Sequence, residues 1–394
     1  MFPTVENFVF PNEMHHLAWT VMIVLYPYIT GLVAGAFVVA ALYHVFGKEE
    51  LKPVSRFALV ASFCFCCFAT TPLLLHLHQP QRAFNIMMTP NFNSAMSGFG
   101  FIYSFYLGLL TLEIFLIFRP QIIALAKKTP GVMGLVYKVM ALGIVRESKE
   151  SRHADHKLIQ IFSVIGIPAA CVLHGYVGFI FGAIKANPWW SSALMPIIFL
   201  VSAIVSGVSA LIHLYLFYTW RRGGRVSNDC LRSMMKTLWL FLVVAFALEE
   251  LDLLNKSYEN NMPWTLLSQM VHHTLYISHT VLQGYVGSLV PLVLLPIGVW
   301  LVKSVKVRAV IGSVSALLVL VQVLAMRWNV VIGGQLFSKS YRGIRELHID
   351  WTGKEGVLMA VIVFCLPFVL LAVLVRILPV WETDDPPLAE TPAE

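Results

Sequence analysis

The chain has 394 residues, of which 58% are hydrophobic and 12% are charged. Soluble domains carry roughly 25% charged residues, so this composition excludes an ordinary soluble domain and indicates an integral membrane protein. The formal net charge of +7 is not accompanied by any nucleic-acid-binding motif, and we interpret it as a sign of membrane topology.

Nine apolar runs are long enough to cross about 30 Å of hydrocarbon, which takes about 20 helical residues. They are residues 17–43, 57–76, 96–118, 158–184, 191–218, 237–254, 274–301, 309–326 and 356–378. We therefore predict an all-α integral membrane protein with nine transmembrane helices in up-and-down helical bundles. Residues 1–378 would form one membrane domain with a long loop at 119–157, and the acidic segment 379–394 would be a disordered tail.

The lysines and arginines are distributed unevenly between the two ends of the predicted bundle. Twenty of the 28 lie in or beside the connections that follow the odd-numbered spans. Because basic loops stay in the cytoplasm, we expect an outer N-terminus and a cytoplasmic C-terminus, with loop 119–157 inside. The first sixteen residues lack a basic n-region and a small-residue cleavage site, so we expect no cleavable signal peptide.

The most unusual connection is loop 76–98, HLHQPQRAFNIMMTPNFNSAMSG, which begins at the end of the second span. It brings two histidines, prolines and an arginine to the membrane edge. Irregular, polar-rich backbone at that depth is tolerated where it lines a cavity or contacts protein. In contrast, Cys64, Cys66 and Cys67 lie inside an apolar segment, and we interpret them as packing residues rather than metal ligands or disulfides.

Three blocks of the sequence together resemble one family. They are HLHQPQRAF…PNFNSAMS, the first-span block YPYITGLVAGA, and HGYVGFIFGAIKANPWWSSALMP in the fourth and fifth spans. These blocks resemble the signatures of the NrfD/polysulfide reductase membrane-subunit family, with His78 in place of the family's glycine. Nine spans and RWNVVIGGQ after the eighth resemble the longer branch, which includes membrane subunits of menaquinone redox complexes.

The resemblance implies haem-free helical bundles with an eight-helix core plus an extra C-terminal helix. It implies a quinone-interacting subunit of a respiratory oxidoreductase in the bacterial cytoplasmic membrane, exchanging electrons between menaquinol or ubiquinol and a docked ferredoxin-like iron–sulfur subunit. A further catalytic subunit is expected, and no haem or metal would be held by this chain. We expect the partner to dock over the outer loops. The terminal substrate, the direction of electron flow and proton movement are left open.

A quinone site needs an apolar slot and side chains with polar tips, which tyrosine and histidine provide. Tyr26, His76, His174 and Tyr176 fall at similar depths in the outer third of the predicted bundle. By the family resemblance, Tyr176 lies at a quinone-contacting tyrosine, Tyr26 at a polar contact position and His78 at an acidic position. Each residue also has an ordinary alternative role in anchoring, capping or packing. His78 and Arg82 would lie between quinone and partner.

Ionisable residues inside the spans form a second candidate set. A charge in the bilayer costs several kcal/mol, so each should face the bundle and be paired. We expect structural pairing of Arg327 with Glu249 or Glu250, and we consider Glu113 and His279, with these three, as members of a proton relay.

Two other function classes remain open at this stage. A di-haem cytochrome b could draw on the histidines at 76, 78, 174, 272, 273 and 279, but the spacing of about 13–14 residues typical of such pairs is absent. A secondary transporter would show broken helices at the midplane, whereas the irregular polar segments here lie at the outer edge.

Overall fold

The computed structural model describes residues 8–14, 17–143, 149–260 and 262–381. Apart from two isolated bridges, Phe8 to Arg342 and Phe337 to Ile344, these residues contain no strand. The α-helices are α1 (Val21–His44), α2 (Lys52–Phe68), α3 (Thr71–His76), α4 (Asn85–Met88), α5 (Ala95–Lys128), α6 (Gly131–Met140), α7 (Lys149–Gly182), α8 (Met195–Arg221), α9 (Asn228–Glu259), α10 (Met262–Gln269), α11 (Val290–Pro296), α12 (Val305–Trp328), α13 (Gly334–Leu336) and α14 (Val357–Ile377). Segments Met270–Thr274, Tyr276–Leu289, Ile297–Leu301 and Asn329–Gly333 are π-helical.

Eight helical stretches in the described residues are long and apolar enough to cross a membrane. They are Val21–His44, Glu49–His76, Ala95–Lys128, His153–Gly182, Met195–Arg221, Tyr276–Leu301, Val305–Leu336 and Val357–Ile377. The prediction of an all-helical multi-span membrane protein is therefore confirmed. The ninth predicted span, residues 237–254, is not confirmed. It lies in α9, a 32-residue helix that packs beside α8 but carries Glu249, Glu250 and Asp252 in that stretch.

Helix α1 forms the centre of the molecule. Nearly all of its residues are buried, and it packs against α2, α7, α8, α12 and α14. The closest approach is to α8, where a Cβ added to Gly35 would lie 2.6 Å from the Cα of Gly207. Small residues let two membrane helices pack backbone to backbone, so this contact joins the two halves of the bundle.

The two halves of the bundle consist of different helices. The first half consists of α2, α3, α5 and α7, of which α2, α3 and α7 pack against α1. The second half consists of α8, α9, α12 and the segment 276–301.

The predicted loop 119–157 is largely helical. Helix α5 continues to Lys128, α6 follows, and α7 begins at Lys149. Arg119 and Asp155 form an ion pair of 2.7 Å between α5 and α7, and the Tyr137 hydroxyl donates to the carbonyl of Ile377 at 2.9 Å. The tail predicted at 379–394 falls almost wholly outside the described residues.

At the opposite end the loops interlock into a cap, defined here as residues 8–14, 77–94, 183–194 and 337–356. The buried Glu13 carboxylate accepts from the Lys339 amide at 3.0 Å and from the Ser338 hydroxyl at 3.3 Å. Burial lowers the pKa of the Arg345 guanidinium, an effect that the neighbouring Glu13 carboxylate opposes. The Tyr341 hydroxyl donates to the carbonyl of Ala186 at 2.9 Å. These bonds tie segment 337–356 to the opening segment and to loop 183–194.

Candidate functional site

An apolar cavity of about 380 Å³ lies in the first half of the bundle, directly beneath the cap. It is enclosed by α1, α3, α4, α5 and α7. Its lining residues are Trp19, Ile23, Tyr26, Thr70, Leu73, Leu74, His76, Leu77, Ala83, Phe84, Ile86, Met87, Met96, Phe99, Gly100, Tyr103, Ser104, Val177, Ile180 and Phe181. A largely apolar wall with a few polar groups is the usual form of a small-molecule site.

A helix break shapes one wall of this cavity. Helix α2 ends at Phe68, and α3 restarts at Thr71 with Pro72 in its first turn. Proline has no backbone N–H, so it fits the start of a helix and interrupts a continuous one. Near the break, the Tyr103 hydroxyl of α5 donates to the carbonyl of Cys66. This bond fixes Tyr103 against the break.

His76 ends α3 at the rim of the cavity and is bound to a carboxylate from a distant loop. Its Nδ1 lies 2.6 Å from Oε2 of Glu355, and both side chains are partly exposed, at 21% and 25%. The same Glu355 oxygen accepts from the Thr20 hydroxyl at 3.0 Å. A carboxylate on one ring nitrogen orients the imidazole and leaves the other nitrogen, Nε2, to exchange a proton.

Tyr26 and Phe99 form the deeper part of the wall. Tyr26 is 5% exposed, and its ring meets that of Phe99 edge to face at 5.5 Å between centroids. The structure thus brings two of the predicted quinone residues, Tyr26 and His76, to one cavity.

The other four predicted quinone residues do not line it. His78 and Arg82 are exposed in the cap. The Tyr176 hydroxyl donates to the carbonyl of Ala95 at 2.7 Å, which ties α7 to the start of α5. His174 is buried near Arg327, and its Nε2 has no hydrogen-bond partner among the described residues.

A second, polar cavity of about 60 Å³ lies in the other half of the bundle. It brings together three predicted relay residues, Glu249, Glu250 and His279. The Glu249 carboxylate accepts from Gln283 at 2.8 Å and from Gln322 at 3.1 Å. Gln283 in turn accepts from Asn329 at 2.7 Å, and the Ser278 hydroxyl donates to Asn329 at 2.6 Å.

In this series of hydrogen bonds each side chain donates to the next, and the last acceptor is the carboxyl group of Glu249. Such an arrangement stabilises a carboxylate charge. Two of the participating backbone segments, Tyr276–Leu289 and Asn329–Gly333, are π-helical. π-helical bulges are frequent at functional sites.

The two remaining relay candidates lie elsewhere. Arg327 is 1% exposed, donates to the Ser202 hydroxyl at 2.8 Å and stacks over Phe199 at 3.9 Å. The expected ion pair is not formed: within the described residues no salt bridge joins Arg327 to Glu249 or Glu250. The carboxylate of Glu249 is instead hydrogen-bonded by Gln283 and Gln322. Glu113 accepts from the Ser163 hydroxyl at 2.5 Å, between α5 and α7, and lines neither cavity.

No pattern in the sequence predicts that Trp19 lines the apolar cavity or that Thr20 and Glu355 lie at its rim. Glu355 is 279 residues from His76, and nothing in its local sequence predicts their contact. Among the described residues there is also no group of three or more His, Cys, Asp or Glu side chains that could hold a metal ion.

Comparison with known proteins gives a consistent result. The family model described as "Polysulphide reductase, NrfD" matches residues 9–339. A selenate reductase subunit of Mesobacillus selenatarsenatis is 27% identical over 387 residues, covering 92% of this chain and 86% of that protein. Protein NrfD of Escherichia coli is 25% identical over 81% of this chain and 96% of its own length. A putative dimethyl sulfoxide reductase membrane subunit of Halobacterium salinarum is 25% identical over 57% of this chain and 49% of its own length.

Proposed function

Because this chain belongs to the polysulphide reductase NrfD family, we propose that it is the quinone-interacting membrane subunit of a multi-subunit respiratory oxidoreductase. It would exchange electrons between menaquinol or ubiquinol in the membrane and a docked iron–sulfur subunit. The relatives named as subunits of selenate and dimethyl sulfoxide reductases support a place in a reductase complex.

The observation that carries the proposal is the apolar cavity with His76 and Glu355 at its rim. The cavity walls suit the hydrocarbon tail and ring faces of a quinone, and the rim offers a group that exchanges protons. A bound quinol supplies two electrons and two protons when it is oxidised. Its head group would lie near His76 and Tyr26.

His76 and Glu355 would have different tasks in this site. His76 would accept a proton at Nε2 while Glu355 stabilises the resulting imidazolium through Nδ1. A positioned histidine suits this task because its imidazole can both accept and donate a proton. Glu355 acts through His76 and is therefore a positioning residue. Thr20 holds the carboxylate in place by its hydrogen bond.

His174 and Tyr176 do not line the cavity, and we propose that they hold α7, which forms one of its walls, in position. Tyr176 holds α7 against the first turn of α5, at Gly98, where an added Cβ would overlap the tyrosine hydroxyl oxygen. His78 and Arg82, which are exposed above the cavity, would contribute hydrogen bonds and positive charge toward the partner.

We place the iron–sulfur subunit on the cap, because the cavity lies directly beneath it. Segment 337–356 carries seven charged residues and an exposed Trp351, which suits a polar-rimmed protein interface. The excess of basic residues at the opposite end supports a periplasmic cap in a bacterial cytoplasmic membrane.

The polar cavity would serve proton transfer. Glu249, held by Gln283 and Gln322, would be the acceptor of this relay, with Glu250 and His279 beside it. Amide side chains are not acid–base groups at neutral pH, so the network would hold the charge of Glu249 rather than conduct protons along itself. Glu113, which lies apart from this network, would belong to a separate path through α5 and α7.

The test uses the complex purified from its native membrane. Quinol should reduce an iron–sulfur chromophore of the partner, and a reduced-minus-oxidised spectrum should show no haem bands from this chain. Photoreactive residues replacing Trp351 on the cap and Trp220 at the opposite end form a matched pair, since these tryptophans are 68% and 76% exposed. Crosslinks to an iron–sulfur subunit from position 220 alone would contradict docking on the cap. Haem bands or failure to react with quinol would contradict the function.

A further inference from the structure

We propose that residues 83–94 lie in the lipid interface of the membrane, and that a quinone reaches the apolar cavity by passing this segment. The position of residues 83–94 in lipid is a property of the protein surface alone. The entry of a quinone past this segment rests on the proposed function. The segment follows His78 and Arg82 and contains the short helix α4.

The segment exposes large apolar side chains. Phe92 is 88% exposed, Met88 78% and Phe84 63%. The same surface continues onto α5, where Phe105 is 59% exposed and Phe101 42%. Because α5 is one of the helices suited to cross the membrane, its exposed apolar side chains face lipid. A large apolar patch that continues such a surface belongs to the same environment.

The distribution of charge separates this segment from the rest of the cap. Residues 83–112 contain no Asp, Glu, Lys, Arg or His in thirty positions. Segment 337–356, only twenty residues long, contains seven charged side chains. Charged groups are expensive in hydrocarbon and inexpensive in water or at a polar interface. The contrast assigns segment 337–356 to the aqueous side and residues 83–94 to lipid.

The cavity reaches the lipid-facing surface through this segment. Phe84 and Met96 line the cavity, and yet they are 63% and 45% exposed. Between them, Met87 packs on α5: a Cβ added to Gly100 would lie 3.2 Å from the Met87 Cγ. The Ser97 hydroxyl donates to the carbonyl of Ile86 at 3.3 Å. Thus one thin wall, made mainly of flexible side chains, separates the cavity from lipid.

The position of residues 83–94 in lipid is tested with spin labels in the intact complex, reconstituted in liposomes. Cys171→Ser and Cys365→Ser first remove the exposed cysteines. Labels are placed by Phe92→Cys, by Phe105→Cys as the lipid control and by Lys48→Cys, exposed at the end opposite the cap, as the water control. We expect the label at 92 to respond to oxygen, which concentrates in lipid, as the label at 105 does. It should be protected from a water-soluble nickel chelate that relaxes the label at 48.

Two outcomes would contradict the position of residues 83–94 in lipid. Access of the nickel chelate to position 92, equal to that at position 48, would place the segment in water. Protection of position 92 from both reagents would place it beneath a partner protein.

The entry of quinone past this segment is tested with a disulfide that joins the segment to α5. For Met87→Cys with Gly100→Cys, the Gly100 Cβ would lie 3.2 Å from the present Met87 Cγ, the atom bonded to the Met87 Cβ. This is near the Cβ spacing of about 3.5–4.5 Å that a disulfide needs. Forming the disulfide should slow turnover of a long-tailed quinol by at least about five-fold and of a tail-less quinol by less than about two-fold. The tail-less quinol dissolves in water and can also enter at the partly exposed rim beside His76, whereas the long-tailed quinol stays in lipid. Reduction of the disulfide should restore the rate, and each single-cysteine variant is a control.

Equal slowing of both quinols, or an unchanged rate with the crosslink fully formed, would overturn the access route. A different outcome would distinguish failure of the proposed function. If the reduced, unlocked protein oxidised neither quinol, the proposed function and the access route would both fall. The spin-label result would still decide whether the segment lies in lipid.

Discussion

The two cavities on either side of α1 and α8 are built in opposite ways. The apolar cavity, of about 380 Å³, has mainly hydrocarbon walls and a single ionisable pair, His76 and Glu355, at its rim. The polar cavity, of about 60 Å³, is almost filled by side chains that hydrogen-bond to one another around Glu249. One half of the bundle has room for a molecule, and the other half is filled by a carboxyl group hydrogen-bonded to amide side chains.

This difference follows from the cost of leaving polar groups without partners. A buried donor or acceptor without a hydrogen bond costs about 1–3 kcal/mol, so a polar cavity is stable when its side chains satisfy one another. An apolar cavity has no such requirement, and an apolar ligand can fill it. Variants in the first cavity should therefore change turnover, whereas variants in the second should change stability first.

The largest effect is expected at His76. His76→Ala and His76→Gln should each lower the rate of quinol oxidation by about 100-fold, since general acid–base groups contribute at least that much. His76→Gln retains a side chain that can bond to Glu355, so it separates proton exchange from folding. Steady-state quinol oxidation by the complex is the measurement. The matched variant in the polar network is Ser278→Ala, which removes one hydrogen bond to Asn329 and should change the rate by less than about three-fold. Equal losses at both positions would remove the distinction between the cavities.

A smaller loss is expected at Glu355. Glu355→Gln removes the negative charge from the 2.6 Å contact with His76. A hydrogen bond to a charged group contributes about 1.5–3 kcal/mol, so kcat should fall by at least about ten-fold. The KM for quinol should change little, because Glu355 contacts His76 rather than the cavity. Glu50→Gln, an exposed variant at the end opposite the cap, is the control. A change confined to KM would argue against the positioning role.

The polar cavity should respond through stability. Glu249→Leu leaves the amides of Gln283 and Gln322 without their acceptor, while Glu249→Gln keeps an acceptor oxygen. We expect the leucine variant to lower the midpoint of heat denaturation by about 5 °C and the glutamine variant to lower it much less. Differential scanning measurements on the purified complex would show this. Equal midpoints in the two variants would mean that the network contributes little to stability.

The smallest effect is expected at Tyr176. Its hydroxyl bonds to the carbonyl of Ala95 and does not reach the cavity, so Tyr176→Phe removes one helix–helix hydrogen bond. Such a bond contributes about 0.5–1.5 kcal/mol, and quinol oxidation should fall by less than about three-fold. A loss as large as that of His76→Ala would show that the tyrosine takes part directly in quinone chemistry.

Hydropathy was sufficient to predict the membrane helices, because a span depends on a continuous local run of apolar residues. Eight of the nine predicted spans correspond to helices of the required length and composition. The unconfirmed one, at 237–254, contains Glu249, Glu250 and Asp252. The structure pairs Glu249 with glutamines and Asp252 with Lys256, at 2.6 Å.

Sequence motifs also predicted the family and the placement of Tyr26 and His76 near each other. They did not predict which polar groups meet. His76 and Glu355 are separated by 279 positions, and Arg327 bonds to Ser202 instead of forming an ion pair with Glu249.

Depth along a helix could be estimated from the sequence, since each residue adds about 1.5 Å. The direction in which a side chain points toward its neighbours could not. Tyr176 and His174 lie on α7 beside the cavity-lining Val177, but packing of α7 against α5 and α8 directs them away from the cavity. The sequence by itself determined the helices and their polar residues. Tertiary structure alone decided which side chains share a cavity, because close packing of helices selects contacts between residues that are far apart in the chain.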